Sequence, residues 1–387
     1  MVRTTDQSWA RDDLQSHLVR ATPDTVQWGA FDASVAPVKR VRSGDVLRIE
    51  CLAHHAGDAP DLMMDEGVKA VYDGIPQEKR GPGVHIVTGP IYVEGAQPGD
   101  TLECRVLKLE PRLPYGSNFS ANWGLLFDEF DQREHVVIYE ADVDANVARA
   151  VFQYPFPNAP LPYTGFITEP GSVERVPALQ NVTIPLRLHM GTAGVAPPEE
   201  GPVSTIPPGR HGGNMDNREF VVGTAMYYPV THEGALFWAG DSHFAQGDGE
   251  VNGTGIEAHV NATLQLIVHK DMPITTPVLE TPDLWICHGF NEDLDEAVQE
   301  AVVETINFLT ERWEISREEA YSVVGLAGDL RVTQVVDGVK GAHMAIRKDC
   351  YRGAPAAQPS KDPGDPSHAD ATDRPHMDPA QRRALTP

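Results

Sequence analysis

Short apolar runs, separated at close intervals by proline and glycine, fill the first two-thirds of the chain. VLRIECLA and TLECRVLKLE are two examples, and 34 glycines and 32 prolines are spread over the 387 residues. In the second run, apolar and charged residues alternate from Leu102 to Val106, which is typical of a half-buried strand. This spacing favours an all-β architecture and predicts β-sandwich or barrel units.

Helical periodicity becomes clear only in the last quarter of the chain. Apolar residues recur at three- and four-residue steps over 294–313, with Asn291 as the expected N-cap. Ser316 and Glu319 form the pattern of a capping box for a second helix, and two strands are expected between residues 330 and 347. The sequence therefore predicts a mainly β fold with a smaller C-terminal α+β segment.

The charge balance limits the partners of this chain. It contains 56 acidic and 31 basic residues, which gives a formal net charge of −25. Nucleic acids and anionic membranes are excluded as partners because both require a positive surface. No apolar run approaches a membrane span, the N-terminus has no signal-peptide core, and the four cysteines form no CxxC pair. We therefore expect a cytoplasmic protein.

One stretch, from Pro207 to His259, concentrates carboxylate, imidazole and amide side chains between paired glycines. Glycines allow the backbone to approach a ligand closely or to adopt positive φ. Carboxylates and imidazoles are also the ligands that divalent cations take. The stretch is the expected active site, and the alternative is a structural cation loop or polar turns between strands. Its candidate residues are Asn214, Asp216, Asp241, His243, Gln246, Asp248 and Glu250.

Several longer motifs follow one another along the chain. They are GPIYVEGAQPGDTL (89–102), GTAGVAPPE (191–199), STIPPGRHGGNMDN and AGDSHFAQGDGEVNGTGIE. Together they resemble the acetamidase/formamidase family of amide hydrolases over most of the chain. A collinear match of this extent is far more specific than one short motif. The resemblance implies hydrolysis of short aliphatic primary amides to a carboxylate and ammonia by a largely β protein that forms a homo-oligomer.

Amide hydrolysis needs a polarised carbonyl, an activated nucleophile and a proton for the departing amine. A divalent cation supplies the first two functions by polarising the substrate and activating a water. Asp241 and His243 are the first-choice ligands because their spacing places both on one face of a strand. Asp216 is the expected third ligand, and His54, from the pair His54 and His55, is the fourth. Zinc is the expected cation, with manganese and calcium as alternatives.

The remaining polar residues of this stretch are candidates for catalysis. Glu250 is the expected general base, while Gln246 and Asn214 are expected to hydrogen-bond the oxygen or nitrogen of the substrate. Asp248 is a further catalytic candidate, although an aspartate between glycines is equally typical of a turn. Glu257 is expected to support a metal ligand rather than to react.

Other residues and mechanisms are less favoured by the sequence. His85 and His189 rank below His54 because single histidines are more often structural hydrogen-bond donors. A cysteine nucleophile would have to be Cys287 beside His288, but small buried thiols are usual in such apolar runs. From a different functional class, a non-catalytic β-sandwich that binds a small molecule and a structural cation stays open, since sequence cannot show an open coordination position.

The boundaries of the parts of the chain follow from composition. We expect an N-terminal arm (1–24), a β-rich catalytic region (25–270), an α+β segment that completes the fold (271–350) and a flexible tail (351–387). The tail is rich in proline, alanine and aspartate and has almost no large apolar residue. It therefore cannot offset by burial the entropy that ordering would cost.

Overall fold

β-Strands make up most of the computed structural model, which describes residues 15–157 and 165–352. The predicted fold class, mainly β with a C-terminal helical segment, is confirmed. The strands are β1 Ser16–Val19, β2 Val26–Trp28, β3 Ala30–Phe31, β4 Lys39–Arg42, β5 Val46–Ile49, β6 Ile86–Glu94, β7 Thr101–Ser120, β8 His135–Asp142, β9 Val147–Pro155, β10 Ile184–Pro185, β11 His189–Gly194, β12 Val203–Ser204, β13 Gly212–Asn214, β14 Ala225–Pro229, β15 Phe237–His243, β16 Glu257–His269, β17 Val278–Glu280, β18 Leu284–Asn291, β19 Gly328–Gln334 and β20 Lys340–Arg347. The α-helices are α1 Pro60–Met63, α2 Glu66–Gly74, α3 Leu294–Trp313 and α4 Arg317–Ala327. Single turns of 3-10 helix lie at His54–Asp58, Gln77–Lys79, Phe127–Phe130 and Lys348–Cys350.

The long strand β7 links much of the main sheet. It pairs antiparallel with β16 along nearly its whole length, with β14 through its first part and with β8 through its last part. The predicted alternation places Leu102, Cys104 and Val106 in the core. Glu103 is buried as well, contrary to the expectation of an exposed charged face. Its carboxylate accepts a hydrogen bond from His269 on β16 at 2.6 Å, which offsets the loss of hydration.

The strands that carry the candidate site are neighbours in the sheet. β15 pairs with β11 on one side and with β6 on the other, and its last residues pair with β16. β11 in turn pairs with β13, so that Thr192 faces both Asn214 and Gly240 in register. Residues that are far apart in sequence therefore reach one end of the sheet together.

The C-terminal segment is an extension of the same sheet covered by two helices. β18 pairs with β17 and β20, and α3 packs across β18 and β20. Helix α4 begins at the predicted capping box, in which Ser316 accepts a hydrogen bond from the Glu319 backbone. The predicted cap of α3 is wrong, because Asp293 accepts hydrogen bonds from two backbone amides of the first turn. Asn291 is the last residue of β18 and instead accepts a hydrogen bond from the Asp293 amide.

The two ends of the chain are described only in part. Within the predicted N-terminal arm, β1 pairs in parallel with β5, so its described part belongs to the sheet. From residue 353 onward, the predicted flexible tail lies outside the described residues, and the proposed domain boundaries stay predictions. Among the described helices, none combines the length and apolar composition that a membrane span requires.

Candidate active site

A cavity of about 310 Å³ lies beside the ends of β13 and β15 and the start of β6. Asp241, in β15, is its central acidic group. One carboxylate oxygen lies 4.0 Å from His54 Nδ1, and the other lies 3.9 Å from His85 Nε2 and 3.3 Å from His243 Nε2. Three imidazoles thus surround a single buried carboxylate.

The side chains form three overlapping groups that could hold a cation. In each group, one potential ligand atom per residue lies within 4.8 Å of the others. The first contains two imidazoles and a carboxylate, the second contains one imidazole, and the third contains only oxygen ligands. Mixed nitrogen and oxygen ligands suit zinc, whereas an all-oxygen set suits a harder cation. The groups are His54 with His85 and Asp241, Asp216 with Asp241 and His243, and Asp216 with Glu250 and Asp337.

The carboxylates fit a cation by their hydrogen bonding as well as by their spacing. One oxygen each of Asp216, Asp241, Glu250 and Asp337 is buried without a hydrogen-bonding partner in the described structure. Buried polar atoms in native proteins are almost always partnered, so four such oxygens around one cavity need an explanation. A bound divalent cation would satisfy them, and the donor set is suited to one.

Gly191, in β11, leaves the space in which these side chains meet. A Cβ at this position would lie 2.6 Å from Asp216 Oδ1, 2.9 Å from Asp241 Oδ2 and 2.7 Å from His243 Cε1. Real side-chain contacts are not this short, so any larger residue would push the three groups apart. Gly191, the first glycine of GTAGVAPPE, is therefore required for these three side chains to meet.

Three of the carboxylate residues have unusual backbone geometry. Asp216, Asp241 and Glu250 have φ angles of 49°, 32° and 48°, in the region that favours glycine. Residues held in this region cost about 1–3 kcal/mol each and cluster at functional sites. Glycines lie next to two of them in the sequence and help the chain to reverse. The strain at Asp216, Asp241 and Glu250 is thus a second, independent indication of function.

The pKa values of neighbouring carboxyls in the cavity are shifted in opposite directions. Burial favours the neutral acid at Asp241, yet His85 and His243 hold its pKa well below the usual range. At Asp216, burial raises the pKa to about 8 despite the opposing effect of His243. Burial also disfavours the protonated form of His243, but Glu257 and Asp241 raise its pKa well above the usual value. Environments that separate the acidity of adjacent groups are characteristic of catalytic sites.

Glu250 and Asp337 share a second acidic environment. Burial, followed by the charges of Asp216 and Asp337, raises the pKa of Glu250 well above the usual value. Burial likewise raises the pKa of Asp337, with the charges of Asp216 and Asp241 as further causes. Both carboxyls therefore hold a proton more readily than a solvent-exposed acid does.

The predicted catalytic residues separate into those that line the cavity and those that do not. Glu250 and Asn214 line it, together with the predicted ligands His54, Asp216 and Asp241. The amide of Asn214 is engaged by neighbours, since Oδ1 accepts a hydrogen bond from Thr192 at 2.5 Å and Nδ2 donates to the Ile206 carbonyl at 3.1 Å.

Gln246 lies behind the cavity rather than in its wall. Its Oε1 is 2.9 Å from His243 Nδ1 and 3.3 Å from His189 Nε2, and its Nε2 donates to the Asp216 carbonyl at 2.8 Å. Gln246 therefore orients His243 and Asp216, which is how residues behind a metal site act. Asp248 is not brought to the cavity. It is exposed and pairs with Arg218 at 3.3 Å.

Three residues that the sequence did not select also line the cavity. His55 lines it beside His54 because the pair lies in a turn of 3-10 helix, where both side chains can face the same space. His85, which the sequence ranks below His54, precedes β6, and the only local signal for it is the glycine-rich run GPGVH (81–85) in which it stands. Asp337 follows β19 and gave no signal. It approaches because Gly249 exchanges backbone hydrogen bonds with Thr333 and Val335.

Comparison with known proteins identifies the family of the chain. The acetamidase/formamidase family model matches residues 21–202 and 199–346. The chain belongs to the acetamidase/formamidase family. It is 27% identical over 402 residues to the acetamidase of Mycolicibacterium smegmatis, which covers 88% of this chain and 93% of the relative. The formamidase of Methylophilus methylotrophus is 27% identical over 337 residues, or 75% of this chain and 80% of the relative.

The fold of the chain is similar to that of a solved acetamidase structure. The crystal structure of an acetamidase from Bacillus halodurans has a TM-score of 0.68 and 26% sequence identity, and the match covers 86% of this chain and 98% of that one. The family and the enzyme class inferred from the motifs, a hydrolase of linear amide bonds, are thus confirmed.

Proposed function

We propose that this member of the acetamidase/formamidase family hydrolyses short aliphatic primary amides, acetamide or formamide, to a carboxylate and ammonia. The observation that carries the proposal is the set of buried carboxylate oxygens without hydrogen-bonding partners around one cavity. Amide hydrolysis with water needs what this set offers, namely a place for a cation and a nearby proton acceptor.

The residues that would hold a divalent cation are His54, His85 and Asp241, with Asp216 and His243 adjoining them. When bound there, such a cation would polarise the amide carbonyl and make a water more acidic. Zinc suits the two imidazoles and one carboxylate, and manganese or calcium would suit the oxygen-rich side of the cluster. Gln246 keeps His243 and Asp216 in place through its two hydrogen-bonding ends.

Glu250 is the proposed proton carrier. Its side chain lines the cavity and lies within ligand distance of Asp216 and Asp337. As water attacks the carbonyl carbon, the Glu250 carboxylate takes the proton that the water loses. When the carbon–nitrogen bond breaks, the same carboxyl returns that proton to the departing nitrogen, which leaves as ammonia. The carboxylic acid formed in this step then loses its own proton to water and leaves as a carboxylate. Glu257 is held by the Gly255 amide at 2.8 Å and faces His243 at 3.2 Å, which suits a supporting role.

Release of ammonia from acetamide and formamide tests the proposal. Purified protein should release ammonia from at least one of them, lose this activity when a chelator removes the metal, and regain it when zinc or manganese is restored. Full activity in protein shown by elemental analysis to lack metal would contradict the role of the cation. Binding of small amides without any turnover would favour the alternative, a non-catalytic protein with a structural cation. The homo-oligomeric state and the cytoplasmic location expected from the sequence stay predictions.

A further inference from the structure

Most of the acidic and imidazole side chains of the active-site cavity lie deeper than most of its apolar side chains. Asp216 and Asp241 are each only 2% exposed and form its floor. Val84, Trp123 and Ile206 line the same cavity but are only half-buried. The cavity therefore has a charged floor and a mostly apolar, solvent-accessible mouth, which the half-buried carboxyl of Asp337 also borders. An apolar surface that stays partly hydrated gains free energy when a ligand covers it.

Trp123 is a fixed part of this mouth. Its indole Nε1 donates a hydrogen bond to the Gly253 carbonyl at 2.8 Å, and its ring contacts Phe119 with the ring centroids 5.6 Å apart. The Leu125 amide donates to the Val251 carbonyl at 2.8 Å, which ties the segment that carries the tryptophan to the loop after Glu250. The indole is thus held against the cavity by both side-chain and backbone contacts.

The size of the cavity exceeds what acetamide needs. An apolar cavity of about 150 Å³ is large enough for benzene, and this one measures about 310 Å³. A single methyl group, positioned with its amide at Asp241, would leave the apolar mouth uncovered. No lysine or arginine is among the described residues that line the cavity, so nothing there would pair with an anionic substituent.

On the basis of the proposed amide hydrolysis, we propose that the mouth selects primary amides whose acyl group carries an uncharged, phenyl-sized apolar substituent. The amide group has to reach the carboxylates on the floor, and the acyl group then extends outward between Val84, Trp123 and Ile206. Burying a phenyl-sized group favours binding by roughly tenfold to a hundredfold. Trp123 is the specificity-determining residue, since its flat ring supplies the largest apolar surface of the three.

The test compares phenylacetamide with acetamide on the same metal-loaded protein. We expect kcat/KM to be at least about tenfold higher for phenylacetamide. Equal or faster turnover of acetamide would overturn the inference and leave the proposed function intact. If neither amide is hydrolysed, the proposed function fails, and calorimetric binding of the two amides decides the inference: tighter binding of phenylacetamide supports it, and equal or absent binding overturns it.

Variants of the mouth test the role of the tryptophan. Trp123→Ala should lower the ratio of kcat/KM for phenylacetamide to that for acetamide by about tenfold, whereas Trp123→Phe should keep most of it because a ring remains. Phe130→Ala is the matched control, since Phe130 is 68% exposed and lines a neighbouring groove instead of this cavity. An unchanged ratio in Trp123→Ala would overturn the assignment. If that variant does not fold, Ile206→Asn should lower the ratio in the same direction, and an unchanged ratio there would count against the mouth.

Discussion

Replacing Gly191 by alanine should disable the site by adding a single methyl group. The new Cβ would lie 2.6 Å from Asp216 Oδ1, 2.7 Å from His243 Cε1 and 2.9 Å from Asp241 Oδ2. Ordinary contacts of carbon with such atoms begin near about 3.5 Å, so each group has to move by roughly half an ångström or more. No unusual φ at Gly191 opposes alanine, which means that the effect comes from these contacts alone.

The expected losses follow from this displacement. Overpacking of a buried position costs about 1–3 kcal/mol of the free energy of unfolding. A misplacement of about 1 Å in a catalytic group can cost about a hundredfold in rate, and disturbed support of metal ligands lowers metal affinity by about tenfold to a hundredfold. Gly191→Ala should therefore lose metal and most of its turnover, while the larger part of its stability is kept.

Three measurements on the purified variant check these expectations. Elemental analysis gives the metal content, urea unfolding gives the free energy of unfolding, and ammonia release gives turnover. Gly247→Ala is the matched control, because a Cβ at Gly247 meets no atom within 4 Å and the residue lies in the stretch that carries Asp241 and Glu250. If Gly191→Ala keeps normal metal content and turnover while stability falls, the carboxylates around Gly191 are not the active centre.

Two further changes test the site and the fold separately. Glu250→Gln keeps the size of the side chain but removes the proton acceptor, so kcat should fall by about a hundredfold at near-normal metal content; loss of metal would make Glu250 a ligand instead. Asp248→Asn is its control, and the exposed pair of Asp248 with Arg218 predicts little change in kcat. Gly325→Ala, in helix α4 with no atom within 4 Å of the added Cβ, should raise the free energy of unfolding by about 0.5–1 kcal/mol; a destabilised variant in urea unfolding would contradict this.

Features that depend on local sequence could be predicted. The capping box at Ser316 and Glu319 is set by residues close in the chain and is present in the structure. The run from Leu102 to Val106 forms the predicted strand with its apolar residues in the core, although Glu103 is buried as well. The cap of α3 was missed by two residues, because Asn291 and Asp293 are both good caps and only the end of β18 decides between them.

Features that depend on distant pairings could not be predicted. His85 approaches Asp241 because β6 pairs with β15, in the register that places Val87 opposite Gly240. Asp337 approaches Glu250 through the backbone hydrogen bonds between Gly249 and the end of β19. Neither pairing leaves a trace in the residues near His85 or Asp337. The sequence therefore ranked His85 low, did not select Asp337, and could not show which side chains meet at the cavity.

The same spacing rule gives opposite results at two places in one motif, and the backbone explains why. Asp241 and His243 stand two residues apart, and their side chains lie 3.3 Å from each other at the end of β15. Asp248 and Glu250 have the same spacing, yet one is exposed and the other lines the cavity. The period of two holds only for extended chain. Here the Glu250 amide donates to the Gly247 carbonyl at 3.2 Å, so a turn separates the two acids. Glycines in GDGE permit such a turn without dictating it, and the direction in which each carboxylate points is therefore decided by the contacts of the loop with β19.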